Sequence, residues 1–267
     1  MNTKPETRNL KPETQNLKPL TFPALAGTIH GIFTRHGGYS RPPWHGLNFG
    51  HLVGDDPTTV DANFRLACAA LNTDPARVAS PFQVHGNRVW HVTAENISFR
   101  RERADGMITR EPGILLHMRF ADCTPLLFFD PVVGAVGLGH AGWRGTMQNV
   151  VGAVVRAMTD TFGSNPADIR LVIGPSIGVC CYQVGEDVWH AAEQAFADPA
   201  PLFDRSNGDM RFNLWEANRR QAEAAGVGEI VVSGICTSCH TDDFFSHRAE
   251  HGKTGRFGAF IGREIGD

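Results

Sequence analysis

The 267 residues suffice for one large domain or two small ones. Hydrophobic residues make up 42% and charged residues 20%, and the formal charge is −3, so nothing in the balance favours nucleic acid or an anionic membrane as partner. No apolar stretch approaches the ~20 residues needed to span a bilayer, and the polar N-terminus lacks a signal-peptide core; a cytoplasmic enzyme is the expectation.

In chain order, residues 1–20 stand apart. Lys4 to Leu10 is nearly repeated as Lys11 to Leu17, and Lys18-Pro19 begins a third copy. The prolines and the scarcity of apolar residues predict a disordered tail. Residues 21–267 carry no Pro- or Gly-rich linker and are expected to form a single catalytic domain. Thr28 to Thr34 reads as a strand. Asp56 is a candidate N-cap with Pro57 at the first helical position, and that helix should run to about Leu71. Arg88 to Thr93, Gly113 to Arg119, Leu126 to Asp130 and Gly134 to Leu138 read as strands. Thr146 to Phe162 has Met147, Val150, Val151, Val154 and Met158 at helical spacing and Gly163 as its stop. Ile169 to Ile173 reads as a strand, Asp187 to Phe196 and Leu214 to Ala225 as helices, and Glu229 to Ser233 and Arg256 to Ile261 as closing strands. The fold class is α/β or α+β, and the run of strands from 113 to 138 argues against a simple doubly wound sheet.

Chemistry concentrates in two motifs, Ala121-Asp122-Cys123 and Gly139-His140-Ala141-Gly142-Trp143-Arg144-Gly145-Thr146. Both lie at the ends of apolar runs, where loops present side chains to a ligand. With His85 in Gln83-Val84-His85-Gly86, they offer two imidazoles and a thiolate, a three-ligand zinc site with one open position. Simpler readings stand beside this one: Cys123 as a packed core thiol, His140 in a structural turn, His85 as a solvated turn residue. The strand–glycine loop–helix order after His140 suits an anion, with Arg144 as a bidentate partner. Arg248 and Arg256 are further anion contacts, and the loops carrying Arg35 and Asn48 add polar groups.

The six cysteines suggest reduced thiols rather than a disulfide framework in a chain of this length. Cys236 and Cys239 form a C-x-x-C pair, but Cys180 and Cys181 are adjacent and poorly spaced to complete a metal site. All four are expected to be structural.

The ordered series Gln83-Val84-His85-Gly86, Ala104 to Thr109, Ala121 to Pro125, His140 to Thr146, Gly174 to Gly178, Cys181 to Gly185, Cys236-Thr237, Phe245 to Arg248 and Thr254 to Arg256 resembles the YfiH-like family. That family is also called the laccase-domain or multicopper polyphenol oxidoreductase family. The resemblance covers roughly residues 28 to 262. It implies a single-domain α/β sandwich with mixed sheets flanked by helices, and zinc held by His85, Cys123 and His140. It also implies phosphorolysis of adenosine, inosine, guanosine and methylthioadenosine, with adenosine deamination beside it. The substrates would be a purine nucleoside and phosphate, and monomer and homodimer both stay open. Copper-dependent oxidation of phenols is an older implied activity. His247 stands where the family often has Tyr, Gln183 where it has Glu, and Asn63-Phe64-Arg65 is shifted by one from the usual Asn-Arg pair.

The residues favour zinc over copper. None of the twelve histidines forms an H-x-H pair of the kind that ligates a copper cluster. Zinc lowers the pKa of water toward ~7, which suits attack at purine C6, with Asp122 or Asp105 as proton shuttle. Phosphorolysis needs phosphate held near the ribose, for which Arg144, the helix start, Arg248 and Arg256 are the candidates. A metal-free enzyme with Cys123 as nucleophile and a histidine base is the alternative from another class, and a structural zinc in a binding protein is a third.

Overall fold

The computed structural model describes residues 17, 19–98, 102–206 and 208–264. Of the expected tail, residues 1–16 and Lys18 lie outside this range. Leu20, at its end, pairs with Ile32 through two backbone hydrogen bonds of 2.8 and 3.0 Å, so ordered structure begins before residue 21.

The elements run β1 (Thr28–Ile32), α1 (Pro57–Ala70), β2 (Val78–Ala79), β3 (Val89–His91), β4 (Gly106–Thr109), β5 (Leu115–Phe120), β6 (Thr124–Asp130), β7 (Ala135–Ala141), α2 (Trp143–Met147), α3 (Val150–Phe162), β8 (Arg170–Ile173), α4 (Glu186–Ala195), β9 (Phe203–Asp204), β10 (Arg211–Phe212), α5 (Leu214–Ala224), β11 (Glu229–Val232) and β12 (Phe257–Arg263). Helix α1 starts as its sequence predicts. The Asp56 carboxylate accepts from the Thr58 and Thr59 amides, and Pro57 occupies the first turn, where no N–H is needed.

Two mixed sheets form a sandwich. One has four strands in the order β1-β12-β5-β2, the other six in the order β11-β8-β6-β7-β4-β3, and β9 and β10 form a separate ribbon. Strand alternation explains the layering. Leu127, Phe129, Val136 and Leu138 of the larger sheet meet Leu116, Met118, Phe120 and Ile261 of the smaller in a central core. The opposite face, with Leu126, Phe128 and Ile173, packs on Val150, Val151, Val154 and Met158 of α3. Every residue of β6 and β7 is therefore buried, which is why these strands read as unbroken apolar runs. On the outer side of the smaller sheet, Leu115 and Phe260 pack with Leu66 and Ala67 of α1.

One expected element is divided. The helix read from Thr146 to Phe162 is two helices, α2 and α3, separated at Asn149, whose φ of 57° is left-handed. Asparagine tolerates that conformation better than most side chains. Its side-chain oxygen caps α3 by accepting from the Gly152 amide at 2.9 Å. The periodicity survives the break, so the sequence alone hides it. Strands β2, β4, β9 and β10, only two to four residues long, are too short to leave a periodic signal in the sequence.

Strand register gathers the functional residues. Ala121 to Cys123 is the crossover that carries the chain from β5 in one sheet to β6 in the other. Pro125 pairs with His140 across β6 and β7, and Gly106 pairs with Gly139 across β4 and β7. Cys123, His140 and Asp105 thus meet at one end of the larger sheet.

Candidate metal centre

The side chains of His85, Cys123 and His140 each place a donor atom within 4.8 Å of the other two. The two imidazoles meet edge to face, with centroids 4.9 Å apart. His140 is buried, Cys123 half-buried and His85 exposed, so the cluster opens toward solvent on the His85 side.

Asp105, wholly buried at 0% exposure, organises both histidines. Its carboxylate accepts from the backbone amides of Val84, His85 and Gly86 at 3.1, 2.9 and 2.8 Å. This fan of bonds holds His85 at a φ of 61°, a conformation that a non-glycine residue adopts only when its surroundings impose it. The same carboxylate takes a 2.8 Å hydrogen bond from Nδ1 of His140. A carboxylate can only accept, so Nδ1 carries the proton and Nε2 is left as the ligand atom. Gln83 anchors the other end of this loop: its amide donates to the Arg119 carbonyl at 2.9 Å and accepts from the Arg119 amide at 3.0 Å.

The electrostatics follow from this packing. Burial works against ionising Cys123, but His140 and then His85 override it and draw the thiol down to about 6. Burial likewise opposes a charge on His140, yet the Cys123 thiolate and the Asp105 carboxylate raise it to about 9. In the absence of an ion Cys123 and His140 form a thiolate–imidazolium pair, and a bound ion would take the place of the His140 Nε2 proton. Burial opposes ionisation of Asp105 as well, and its bond to His140 keeps the carboxyl below its ordinary range.

The donor set fits a zinc ion. It mixes nitrogen with thiolate sulfur, and one ligand is oriented through a carboxylate–histidine pair. The backbone leaves the space that such a set needs. A Cβ on Gly142 would stand 2.9 Å from the Cys123 sulfur and 3.1 Å from the His85 ring.

Asp122 sits differently from a free proton carrier. Its Oδ1 accepts from Thr237 Oγ1 and Ser246 Oγ, both at 2.7 Å, and its Oδ2 accepts from the Arg248 amide at 2.7 Å. It adopts a φ of 83° and is 8% exposed. This carboxylate ties the Cys123 crossover to the loops after β11, and neither Thr237 nor Ser246 was read as its partner from sequence.

The cationic candidates divide. Arg256 is largely buried, its guanidinium donates to the Thr254 and Gly255 carbonyls at 3.2 and 2.8 Å, and burial disfavours its charged form while Cys123 and Asp122 counteract this. Asn48 is fully buried and positions Arg256, accepting from its backbone amide at 2.8 Å. The Arg248 side chain lies over Tyr182 at 5.3 Å and donates to the Gln183 carbonyl. Arg144 is exposed and stacks on Trp143 at 4.3 Å. Arg35 is paired with Glu250 at 3.1 Å and borders a cleft of about 540 Å³ with His45, Ser238 and Thr241. The helix start expected to hold an anion is the five-residue α2, and the Thr146 amide already donates to the Gly142 carbonyl at 2.9 Å.

The four remaining site-like cysteines depart from expectation. Cys180, Cys181, Cys236 and Cys239 bring their sulfurs within 4.8 Å of one another despite the adjacency of the first two. A turn, rather than spacing along one element, makes this possible.

Comparison with known proteins agrees with the architecture. The chain is 42% identical over 252 residues to the purine nucleoside phosphorylase YlmD of Geobacillus stearothermophilus, covering 90% of this chain and 92% of the relative. It is 38% identical to the purine nucleoside phosphorylase YlmD of Bacillus subtilis, with 88% of each chain covered. The crystal structure of YlmD from Geobacillus stearothermophilus superimposes with a TM-score of 0.88 at 39% identity, over 93% of this chain and 96% of that one. Bacillus licheniformis YfiH gives 0.83 at 40% identity, over 88% and 92%. With residues 29–264 matching the model described as multi-copper polyphenol oxidoreductase laccase, the chain belongs to that laccase-like, YfiH family.

Proposed function

We propose that this protein is a zinc-dependent purine nucleoside phosphorylase that cleaves adenosine, inosine, guanosine and methylthioadenosine to the base and a ribose-1-phosphate or its methylthio analogue. The observation that carries the reading is the His85–Cys123–His140 cluster with Asp105 behind it. The similarity to purine nucleoside phosphorylases supports the substrate class. His85, Cys123 and His140 would hold the ion, which when bound supplies Lewis acidity and lowers the pKa of water toward ~7.

The chain's own groups do the rest. Asp105 keeps the His140 Nδ1 proton in place and fixes the loop of His85. Arg256, held by Asn48, offers the charge that draws phosphate toward the ribose C1′, and Arg144 and Arg248 stand as further anion contacts. Asp122 positions the Cys123 crossover and the Arg248 backbone. Adenosine deamination at the same centre belongs to this proposal, but the bonds that occupy Asp105 and Asp122 fit them for positioning rather than for exchanging its proton. A cytoplasmic location belongs to the same proposal; no helix among the described residues is long and apolar enough to cross a membrane.

A second reading draws on the lowered Cys123 thiol, which beside His140 has the makings of a metal-free nucleophile and base. Copper-dependent phenol oxidation has less behind it. The cluster offers two imidazoles and one thiolate, which suffices for one ion rather than several.

The test is to incubate the purified protein with adenosine and phosphate before and after chelation. The zinc reading expects adenine and ribose-1-phosphate, or inosine, to be lost on chelation and regained with zinc. Turnover that persists without metal and disappears only in Cys123→Ala would establish the thiol enzyme instead.

A further inference from the structure

The second group of thiols lies outside the centre described above. Cys180 and Cys181 occupy a turn in which the Cys181 and Tyr182 amides both donate to the Gly178 carbonyl, at 2.9 and 3.0 Å. Cys236 and Cys239 occupy another, in which the Cys239 and His240 amides donate to the Cys236 carbonyl at 3.2 and 3.1 Å. Backbone bonds lock the two turns side by side: the Ser176 amide donates to the Ile235 carbonyl at 3.2 Å, and the Thr237 amide to the Ser176 carbonyl at 3.0 Å.

The sulfur geometry is that of a ligand set. All four sulfurs are free and lie within 4.8 Å of one another. The Cys239 sulfur is 3.6 Å from that of Cys180 and 3.4 Å from that of Cys181. A tetrahedral ion with Zn–S bonds of about 2.3 Å separates its sulfurs by about 3.8 Å. The Gly178 amide donates to the Cys236 sulfur at 3.2 Å, a bond that stabilises a thiolate. Four thiols this close have no packing reason to converge, since Cys180 and Cys239 are exposed.

We propose that Cys180, Cys181, Cys236 and Cys239 form a closed tetrathiolate zinc site with a structural role. Its consequence for the rest of the molecule is local. Thr237 follows Cys236 and donates to Asp122, while Tyr182 follows Cys181 and lies beneath the Arg248 guanidinium. An ion at this site staples together two loops that border the Cys123 crossover. Binding four thiolates releases their protons, so the site should weaken as the pH falls.

Metal counting on the full-length protein tests this independently of the nucleoside chemistry. Elemental analysis of zinc per chain should show one equivalent lost in the Cys180→Ser, Cys239→Ser double variant and that equivalent retained in Cys123→Ala. Should the double variant fail to fold, Cys123→Ala protein loaded with cobalt(II) gives the answer alone, because it lacks the first centre's thiolate. A sulfur-to-cobalt charge-transfer band with the intensity of four thiolates is expected. No such band, or a chain two hydrogens lighter that regains them with a reductant and binds no metal there, would overturn the proposal.

Discussion

Asp105 and His140 are bonded twice: the carboxylate accepts from Nδ1 at 2.8 Å, and the Asp105 carbonyl accepts from the His140 amide at 2.8 Å. The same carboxylate holds three consecutive amides of the His85 loop. One buried side chain therefore sets both imidazoles of the cluster. Asp105→Asn keeps the shape but replaces an acceptor-only group with an amide. We expect zinc affinity at this centre to fall about 10–100-fold, read by competition with a chromogenic chelator. An unchanged affinity would show that Asp105 does not orient the ligand.

Gly142 is where the backbone comes closest to the cluster. A methyl group there would meet the Cys123 sulfur at 2.9 Å. Gly142 has a φ of −75°, which alanine adopts without strain, so any loss comes from the contact alone. Gly142→Ala should retain its circular dichroism spectrum while losing zinc and turnover together. Wild-type zinc content in a folded variant would contradict the proposed arrangement.

The thiol of Cys123 should report its neighbours in protein stripped of zinc. Its ionisation is drawn down to about 6 by His140 and His85 against the pull of burial. Alkylation of Cys123, followed by peptide mass mapping, should therefore rise through pH 6 and level off above it. In His140→Ala the inflection should move upward, toward the ordinary thiol range. An inflection near 9 in the wild type would remove the thiolate–imidazolium pair from the account.

The break between α2 and α3 makes a stability prediction away from the site. Asn149→Ala loses the cap on Gly152 and places a Cβ residue with no compensating side-chain bond at a φ of 57°. We expect a loss of about 1–2 kcal/mol by urea denaturation. Asn149→Gly should cost only a few tenths, because glycine adopts this φ freely.

Much of this was legible in the sequence, for reasons that differ by residue. Asp56-Pro57 announces α1 because capping is a local matter. His85, Cys123 and His140 stand out because each lies in a short polar motif at the edge of an apolar run. Asp105 was visible as an acid near the site, but its grip on three amides depends on how β4 pairs with β7 and on where the His85 loop returns. The Gln83–Arg119 lock spans 36 residues of sequence. The four-cysteine cluster joins residues 58 and 59 positions apart, and the adjacency of Cys180 and Cys181 hides it because only the folded turn brings both sulfurs to Cys239. Asn149 broke a helix without disturbing its periodicity. What sequence withheld in each case was a contact made by tertiary register.

The most direct measurement follows phosphate itself. Zinc-loaded protein is given inosine in phosphate buffer and in phosphate-free buffer, and base and sugar products are quantified together. Hypoxanthine and ribose-1-phosphate are expected in equal amounts, only where phosphate is present, with both abolished by chelation and in Cys123→Ala. Absence of phosphate-dependent base release from zinc-loaded protein, across inosine, adenosine, guanosine and methylthioadenosine, would contradict the proposed phosphorolysis.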